Sequence, residues 1–394
     1  MLILFWASVV VLCWVTIGYP AFAFARGWVL ARSYKTDAAT PSASVIVAAY
    51  NEADAIGERI ENLLSLDYPQ DCLQIVVASD GSTDGTVEIA KTFEDRGVLV
   101  LNLPRQGKIP AVNTAMQHVT GDIVVMTDAN SHFPAGTVQA LIRPFADETV
   151  GGVAGNQVYS NDKHLVSGDG EQIYWNLDRR LKQALSRSWS VVSATGAVYA
   201  IRRSLVQVIP PAVTDDFFTS TGVIAAGKRL VFAPDAIAIE PVAEKSTAEF
   251  ARKVRVMTRG FRALWERRAL FNPFRTGLYA VDLLTYKLLK RLIAVPLLTL
   301  FVSSGLLAVH SQVFGAVFAV QAVGYAVALL GYLLAGTRLG QMRPVALASY
   351  VGMVNIAAVW AILNCMRGRK IDRWEPQRSE DAVRSDATRM EVAQ

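Results

Sequence analysis

Residues 44–49 read SVIVAA and lead into Tyr50-Asn51-Glu52; residues 74–79 read QIVVAS and lead into Asp80; residues 122–127 read DIVVMT and lead into Asp128. These blocks are short, β-branched and almost continuously apolar, so they are predicted as strands covered on both faces. Helical patterns lie between them, from Ile56 to Leu66 and from Val87 to Phe93, with a further strand from Leu99 to Leu103. This βαβα order predicts an α/β fold with a parallel sheet and helices on both sides. Ligands of such sheets collect at the carboxyl ends of the strands, which gathers Tyr50, Asp80 and Asp128 into one neighbourhood.

Further along, Gly168 to Leu185 reads as a helix carrying Tyr174 and Trp175, and Gly196 to Ile201 as a strand ending in Arg202-Arg203. Thr214-Asp215-Asp216 precedes a helical pattern reaching Ala226. Phe250 to Arg268 holds Arg252, Lys253, Arg255, Arg259, Arg262, Arg267 and Arg268 against the single acid Glu266. Phe250, Val254, Met257, Phe261 and Leu264 recur there at helical spacing, the pattern of a basic amphipathic helix at a membrane surface.

The ends of the chain differ from its middle. Of 394 residues, 52% are hydrophobic and 19% charged, with mean hydropathy +0.29; a soluble protein carries nearer 25% charge. Met1 to Ala25, Leu292 to Thr337 and Pro344 to Met366 contain no Asp, Glu, Lys or Arg. A spanning helix needs about 20 apolar residues, so four spans are expected, the middle run folding back at His310-Ser311-Gln312. Met1 to Ala25 has no basic residue before its apolar stretch, which favours an uncleaved anchor over a signal peptide. Arg26, Arg32 and Lys35 after the first span, and Lys287, Lys290 and Arg291 before the second, place the middle in the cytoplasm under the positive-inside bias. Arg338 and Arg343 agree, whereas Arg367, Arg369, Lys370 and Arg373 leave the side of the tail open. The net charge of +5 fits basic loops against anionic lipids, with no nucleic-acid-binding motif beside it. Cys13, Cys72 and Cys365 make neither a disulfide framework nor a zinc site.

The acids have a shared chemistry. Asp80 and Asp128 each follow a strand, and Asp216 opens a helix. A hard divalent cation, Mg²⁺ or Mn²⁺, takes oxygen ligands and keeps company with phosphates, which suits Asp128. Lys108 and the arginines of the basic helix could neutralise a diphosphate, and Asp216 could take a proton from a hydroxyl. Taken singly, an Asp after a strand is more often a turn former or cap, and Asp84 is expected to be one.

SVIVAAYNEADAI, VVASDGSTDGT, RQGKIPAVNTA, VVMTDANS, SATGAVYAIRR, TDD and RKVRVMTRG follow one another in the order of the membrane-bound family 2 glycosyltransferases, which the chain resembles from about Ser44 to Arg291. That group includes hyaluronan, poly-N-acetylglucosamine and chitin-oligosaccharide synthases and, more distantly, cellulose synthases. The resemblance implies a GT-A fold, a UDP-sugar donor and an inverting transfer. It implies that Tyr50, Glu52 and Asp80 hold the nucleoside, and that Lys108 lies in the donor pocket. Asp128 then starts the DXD motif, and Asp216 is the general base. Arg252 and Arg255 stand for the Q/R-x-x-R of QXXRW, near the pyrophosphate. Two positions depart from the pattern. DXD reads Asp128-Ala129-Asn130, so Asn130 would offer a neutral oxygen to the metal. Val256 replaces the tryptophan of QXXRW, leaving Trp189, Trp265 or Tyr174 as substitutes.

The expected organisation is an anchor over 1–25, a cytosolic GT-A domain over 41–245, basic interface helices over 246–290, three spans over 291–366 and a polar tail over 367–394. The expected enzyme sits in the inner (plasma) membrane. It extends an N-acetylglucosamine-type exopolysaccharide, with an export partner, or else adds one sugar to a lipid-linked acceptor. A transporter reading is disfavoured by spans without ionisable groups.

Overall fold

The computed structural model describes residues 1–38, 40–159, 169–241 and 248–369, and only the backbone of residues 169–175 and 248. Gly168, the side chains of Tyr174 and Trp175, Lys370, Arg373 and the rest of the tail lie outside the described residues.

Seven strands form one sheet: β1 (Ala43–Ala49), β2 (Leu73–Asp80), β3 (Val98–Leu103), β4 (Ile123–Asp128), β5 (Val150–Tyr159), β6 (Tyr199–Arg202) and β7 (Arg229–Glu240). Their order is β3-β2-β1-β4-β6-β5-β7. The β3-β2-β1-β4 half is parallel, as its apolar runs predict. The other half corrects the expectation of a purely parallel sheet, because β6 runs antiparallel to both β4 and β5. Asp80 and Asp128 are the last residues of their strands rather than the first of the loops.

Alternation places Val45 and Val47 on one face of β1 and Ile46 on the other, and all three are fully buried. The first pair packs with Ile56, Ile60, Leu63 and Leu141; Ile46 packs with Leu185, Phe217, Tyr199 and Tyr279. At roughly 1.5–3 kcal/mol per buried large apolar side chain, both faces contribute to holding the rim in place. Strands β5 and β7 lay outside the sequence expectation. The glycines of β5 hide its strand character, and one is required: a Cβ on Gly155 would stand 2.7 Å from the Ala236 carbonyl oxygen. Pro234 interrupts β7 where the β5 register shifts between Ala154 and Asn156, the irregularity that a proline without an N–H needs.

Among the described residues three helices are long and apolar enough to cross a membrane: Leu2–Val29, Gln312–Leu333 and Arg343–Met366. The first runs past residue 25. The expected second span is a bent pair, Tyr279–Leu289 and Ala294–Leu307, at 67° to each other, and four spans result if the pair counts as one; its second part has 14 residues and is about 21 Å long. The fold-back falls where expected, with the Ser311 side chain accepting from the Val313 amide. Tyr279, Ala280 and Leu283 are buried, and Tyr279 and Leu283 belong to the same cluster as Ile46. Arg26 is not a lipid-facing flank either: it pairs with Asp282 at 2.8 Å, with the two side chains 4% and 2% exposed. The basic helix Ala248–Glu266 has one flank covered by Arg343–Met366, through a Cys365 contact to the Thr258 carbonyl at 3.6 Å and Lys253 over the Tyr350 ring.

Candidate active site

The loops beyond β1 and β2 are knitted to each other. Asn51 stands at φ 54°; its side chain accepts from the Thr83 amide at 2.8 Å. The Glu52 amide donates to Thr86 Oγ1 at 2.8 Å, at the start of the helix Ala53–Leu64. Asp84 is a turn former, accepting from the amides of Ala53 and Thr86. Gly81, at φ 65°, lies so close to the next loop that a Cβ would stand 2.6 Å from the Arg105 nitrogen.

Asp80 is buried and anchors that next loop. Its Oδ1 accepts from the amides of Gln106 and Gly107, both at 2.8 Å, and its Oδ2 pairs with the Arg105 side chain. The Arg105 guanidinium lies over the Tyr50 ring, 3.4 Å from its centre. Tyr50, Asp80 and Arg105 therefore form one assembly at the edge of the rim. This latch sets the start of the helix Lys108–Met116 and so the position of Lys108.

Lys108 bridges two carboxylates, reaching Asp128 Oδ1 at 2.7 Å and Asp215 Oδ2 at 3.2 Å. Burial alone would lower the Lys108 pKa, but Asp128 and Asp215 outweigh it and hold the ammonium above the usual lysine value. The adjacent acids at the start of the helix Asp215–Ala225 are driven apart. Burial opposes ionisation of Asp215, yet Lys108 and Arg259 keep its carboxyl below the usual range. Burial, and then Asp215, push the Asp216 carboxyl above it. Two neighbouring carboxyls with opposed shifts are the pattern of a fixed anion beside a proton acceptor.

Asp215 and Arg105 were not singled out in the sequence, although TDD and RQGK contain them. Arg259 was seen only as part of a basic helix; its Nε donates to the Val213 carbonyl at 2.8 Å, which brings it to Asp215. Arg252 and Arg255 lie half-buried along the same helix, with Arg252 3.7 Å from Glu249. Glu240, at the end of the unanticipated β7, accepts from Ser131 Oγ at 3.0 Å. Burial and then Asp128 raise its carboxyl above the ordinary glutamate value. Of the candidate tryptophans, Trp189 sits beside Arg32 and Arg229, Trp265 is 69% exposed, and Val256 is also exposed.

The donor set fits a divalent cation shared with a substrate. The Asp128 side chain is 33% exposed, and its Oδ2 faces Gly196, where a Cβ would stand 3.3 Å away. Among the described residues no three His, Cys, Asp or Glu side chains gather into a full cage. One carboxylate completed by phosphates and waters is how Mg²⁺ is usually held. Asn130 is exposed two residues on.

Residues 44–209 match the family described as Glycosyl transferase family 2; Asp215 and Asp216 lie just past the match. The chain is 26% identical over 217 residues to the probable glycosyltransferase YdaM of Bacillus subtilis (strain 168), covering 51% of this chain and 50% of that one. It is 24% identical over 249 residues to a poly-beta-1,6-N-acetyl-D-glucosamine synthase of Staphylococcus aureus, covering 61% and 60%. The chain thus spans only half to three-fifths of these relatives. The fold is similar to that of the mannosyltransferase PcManGT from Pyrobaculum calidifontis in complex with GDP-Man and Mn²⁺. The TM-score is 0.70 at 24% identity, over 93% of this chain and 100% of that one. The architecture is GT-A, and residues 44–209 are similar to the glycosyl transferase family 2 domain.

Proposed function

We propose that the chain is an inverting glycosyltransferase of the inner (plasma) membrane that takes a sugar, N-acetylglucosamine or a related hexose, from a UDP-sugar on the cytoplasmic side. The observation that carries this reading is the Asp128–Lys108–Asp215 row with Asp216 beside it. Lys108 would bind the donor diphosphate, and Asp215 would keep Lys108 charged and aimed. Tyr50, Glu52 and the Asp80 latch would shape the nucleoside end, with Arg252 and Arg255 on the pyrophosphate side. Mg²⁺ or Mn²⁺, held by Asp128 and Asn130, would screen the charge of the leaving diphosphate. The acceptor oxygen bonds to the anomeric carbon as the bond from that carbon to the phosphate oxygen breaks. The nucleoside diphosphate leaves with the electron pair, and the acceptor proton passes to Asp216. Attack opposite the leaving group inverts the anomeric centre. A carboxyl raised by burial is the better proton acceptor for this step.

Similarity to a poly-N-acetylglucosamine synthase supports a growing polysaccharide as acceptor; in that reading the polymer would leave through the membrane with an export partner. The exposed Val256, standing where polymerising relatives have a tryptophan, supports the second reading, transfer of one sugar to a lipid-linked acceptor. The test is purified full-length protein with a panel of UDP-sugars and GDP-mannose, reading released nucleoside diphosphate and product size. A polymer gives a high-mass smear, and single transfer gives one glycolipid. No release from any donor would end the proposal.

A further inference from the structure

Two cations within reach of Asp216 are left unused by this mechanism. Lys287 and Arg291 stand about one turn apart in the segment that leads to Ala294–Leu307. Lys287 lies 5.6 Å from the centre of the Phe217 ring, next to Asp216 in sequence, and the Lys287 charge acts on the Asp216 carboxyl. Arg291 is within electrostatic reach of the same acid. Among the described residues neither cation has a carboxylate within ion-pair distance. Asp178, the other acid nearby, is taken up by Lys182 at 3.0 Å and by the Tyr286 hydroxyl.

Arg291 is also seated deliberately. Its Nη1 is buried without a hydrogen-bond partner, and the guanidinium rests where a Cβ on Gly260 would stand, 2.5 Å from that Nη1. A side chain at residue 260 would have to move that guanidinium aside. Lys287, Tyr286, Lys182 and Thr195 line a cavity of about 170 Å³ together with Asp178, whose carboxylate is paired with Lys182, and Thr195 Oγ1 is another buried group without a partner. Lys287 and Arg291 are half-buried, so water can screen them only in part. Two such cations close together, with an unpaired buried donor on Arg291 and a cavity beside Lys287, suit an anion.

We propose that Lys287 and Arg291 form an anion subsite that holds a phosphate group of the acceptor, so that the acceptor is a phosphate-bearing lipid with its hydroxyl turned to Asp216. This rests on the transferase reading and chooses its lipid-linked branch. The donor diphosphate could be thought to fill the same place. However, Lys108 is paired with Asp128 and Asp215, whereas Lys287 and Arg291 act on Asp216, which gives the two neighbouring acids different cations. Arg291 leads directly into the apolar Ala294–Leu307, where a lipid tail would lie.

The test titrates full-length protein in detergent with farnesyl phosphate, farnesol, inorganic phosphate and UDP. Farnesyl phosphate is expected to bind at least about tenfold more tightly than farnesol, from charge-assisted hydrogen bonds to two cations, and at least about tenfold more tightly than inorganic phosphate, from burial of its apolar tail. UDP is expected not to displace it. The pair Lys287→Gln and Arg291→Gln should abolish the preference for farnesyl phosphate over farnesol while UDP affinity stays within a few-fold. Gly260→Val, which displaces the guanidinium without removing it, should weaken the preference in part. Equal binding of farnesyl phosphate and farnesol would overturn the subsite, and inorganic phosphate binding as tightly as farnesyl phosphate would overturn the lipid source. Displacement by UDP would return the cations to the donor. The wild-type titrations decide even if the double variant does not fold. UDP binding retained beside any of these failures would leave the transferase reading standing.

Discussion

The rim of β1, β2 and β4 and the segment from Tyr279 to Arg291 both bring charge to the acid pair, and they satisfy it in opposite ways. At the rim the aspartates are matched locally: Asp80 by two amides and Arg105, Asp128 and Asp215 by Lys108. In the later segment Asp282 is matched by Arg26 from the far end of the chain, whereas Lys287 and Arg291 are left unmatched beside Asp216. A matched set is rigid before substrate arrives, which is what positioning a diphosphate needs. An unmatched pair is completed only by what binds. The two regions meet at Asp215-Asp216, one acid belonging to each.

The largest expected effect separates the two acids. Asp216→Asn should lower transfer by about 10²–10⁴-fold, the usual contribution of a positioned base, with UDP affinity within a few-fold. Equal loss of binding and turnover would assign Asp216 to the matched rim instead. Lys108→Ala should strand Asp128 and Asp215 together and cost about 10²–10³-fold, as removal of one preorganised charge-stabilising group does, with donor affinity falling alongside; turnover unchanged in steady-state assays would break the rim account.

Arg26→Ala should destabilise the protein by about 3–5 kcal/mol, because it leaves Asp282 buried and unpaired, and a thermal melt in detergent reads it. A melting point equal to wild type would show that the later segment is not held by its matched pair. Gly81→Ala should cost about 1–3 kcal/mol through strain at positive φ and the contact with Arg105. Donor KM should rise more than kcat falls, since the Asp80 latch moves with that loop.

The smallest effect sharpens the contrast. Asp216 accepts a proton only when ionised, and its carboxyl is raised. Transfer should therefore decline with falling pH at values above the ordinary aspartate pKa of about 3.9, with a slope of one in log kcat/KM. Asp215, held low beside Lys108, stays ionised through that range. An acid limb at or below 3.9 would mean that the two acids are not split.

The sequence by itself determined the parallel half of the sheet, because SVIVAA, QIVVAS and DIVVMT are apolar on both faces and only a doubly covered strand can bury them. It also determined that Asp80 and Asp128 lie at strand ends and that the chain has long apolar helices at its two ends, since those are properties of local runs. It did not reveal β5, whose glycines serve close approach to β7, nor β7 itself, whose proline needs a register shift that only the neighbouring strand supplies. Arg26, Lys287 and Arg291 read as membrane flanks because charge counting along a chain carries no information about partners hundreds of residues away. Whether such a charge faces lipid, pairs with Asp282 or stands unmatched beside Asp216 was decided by tertiary packing, where burial makes each pairing or its absence worth several kcal/mol.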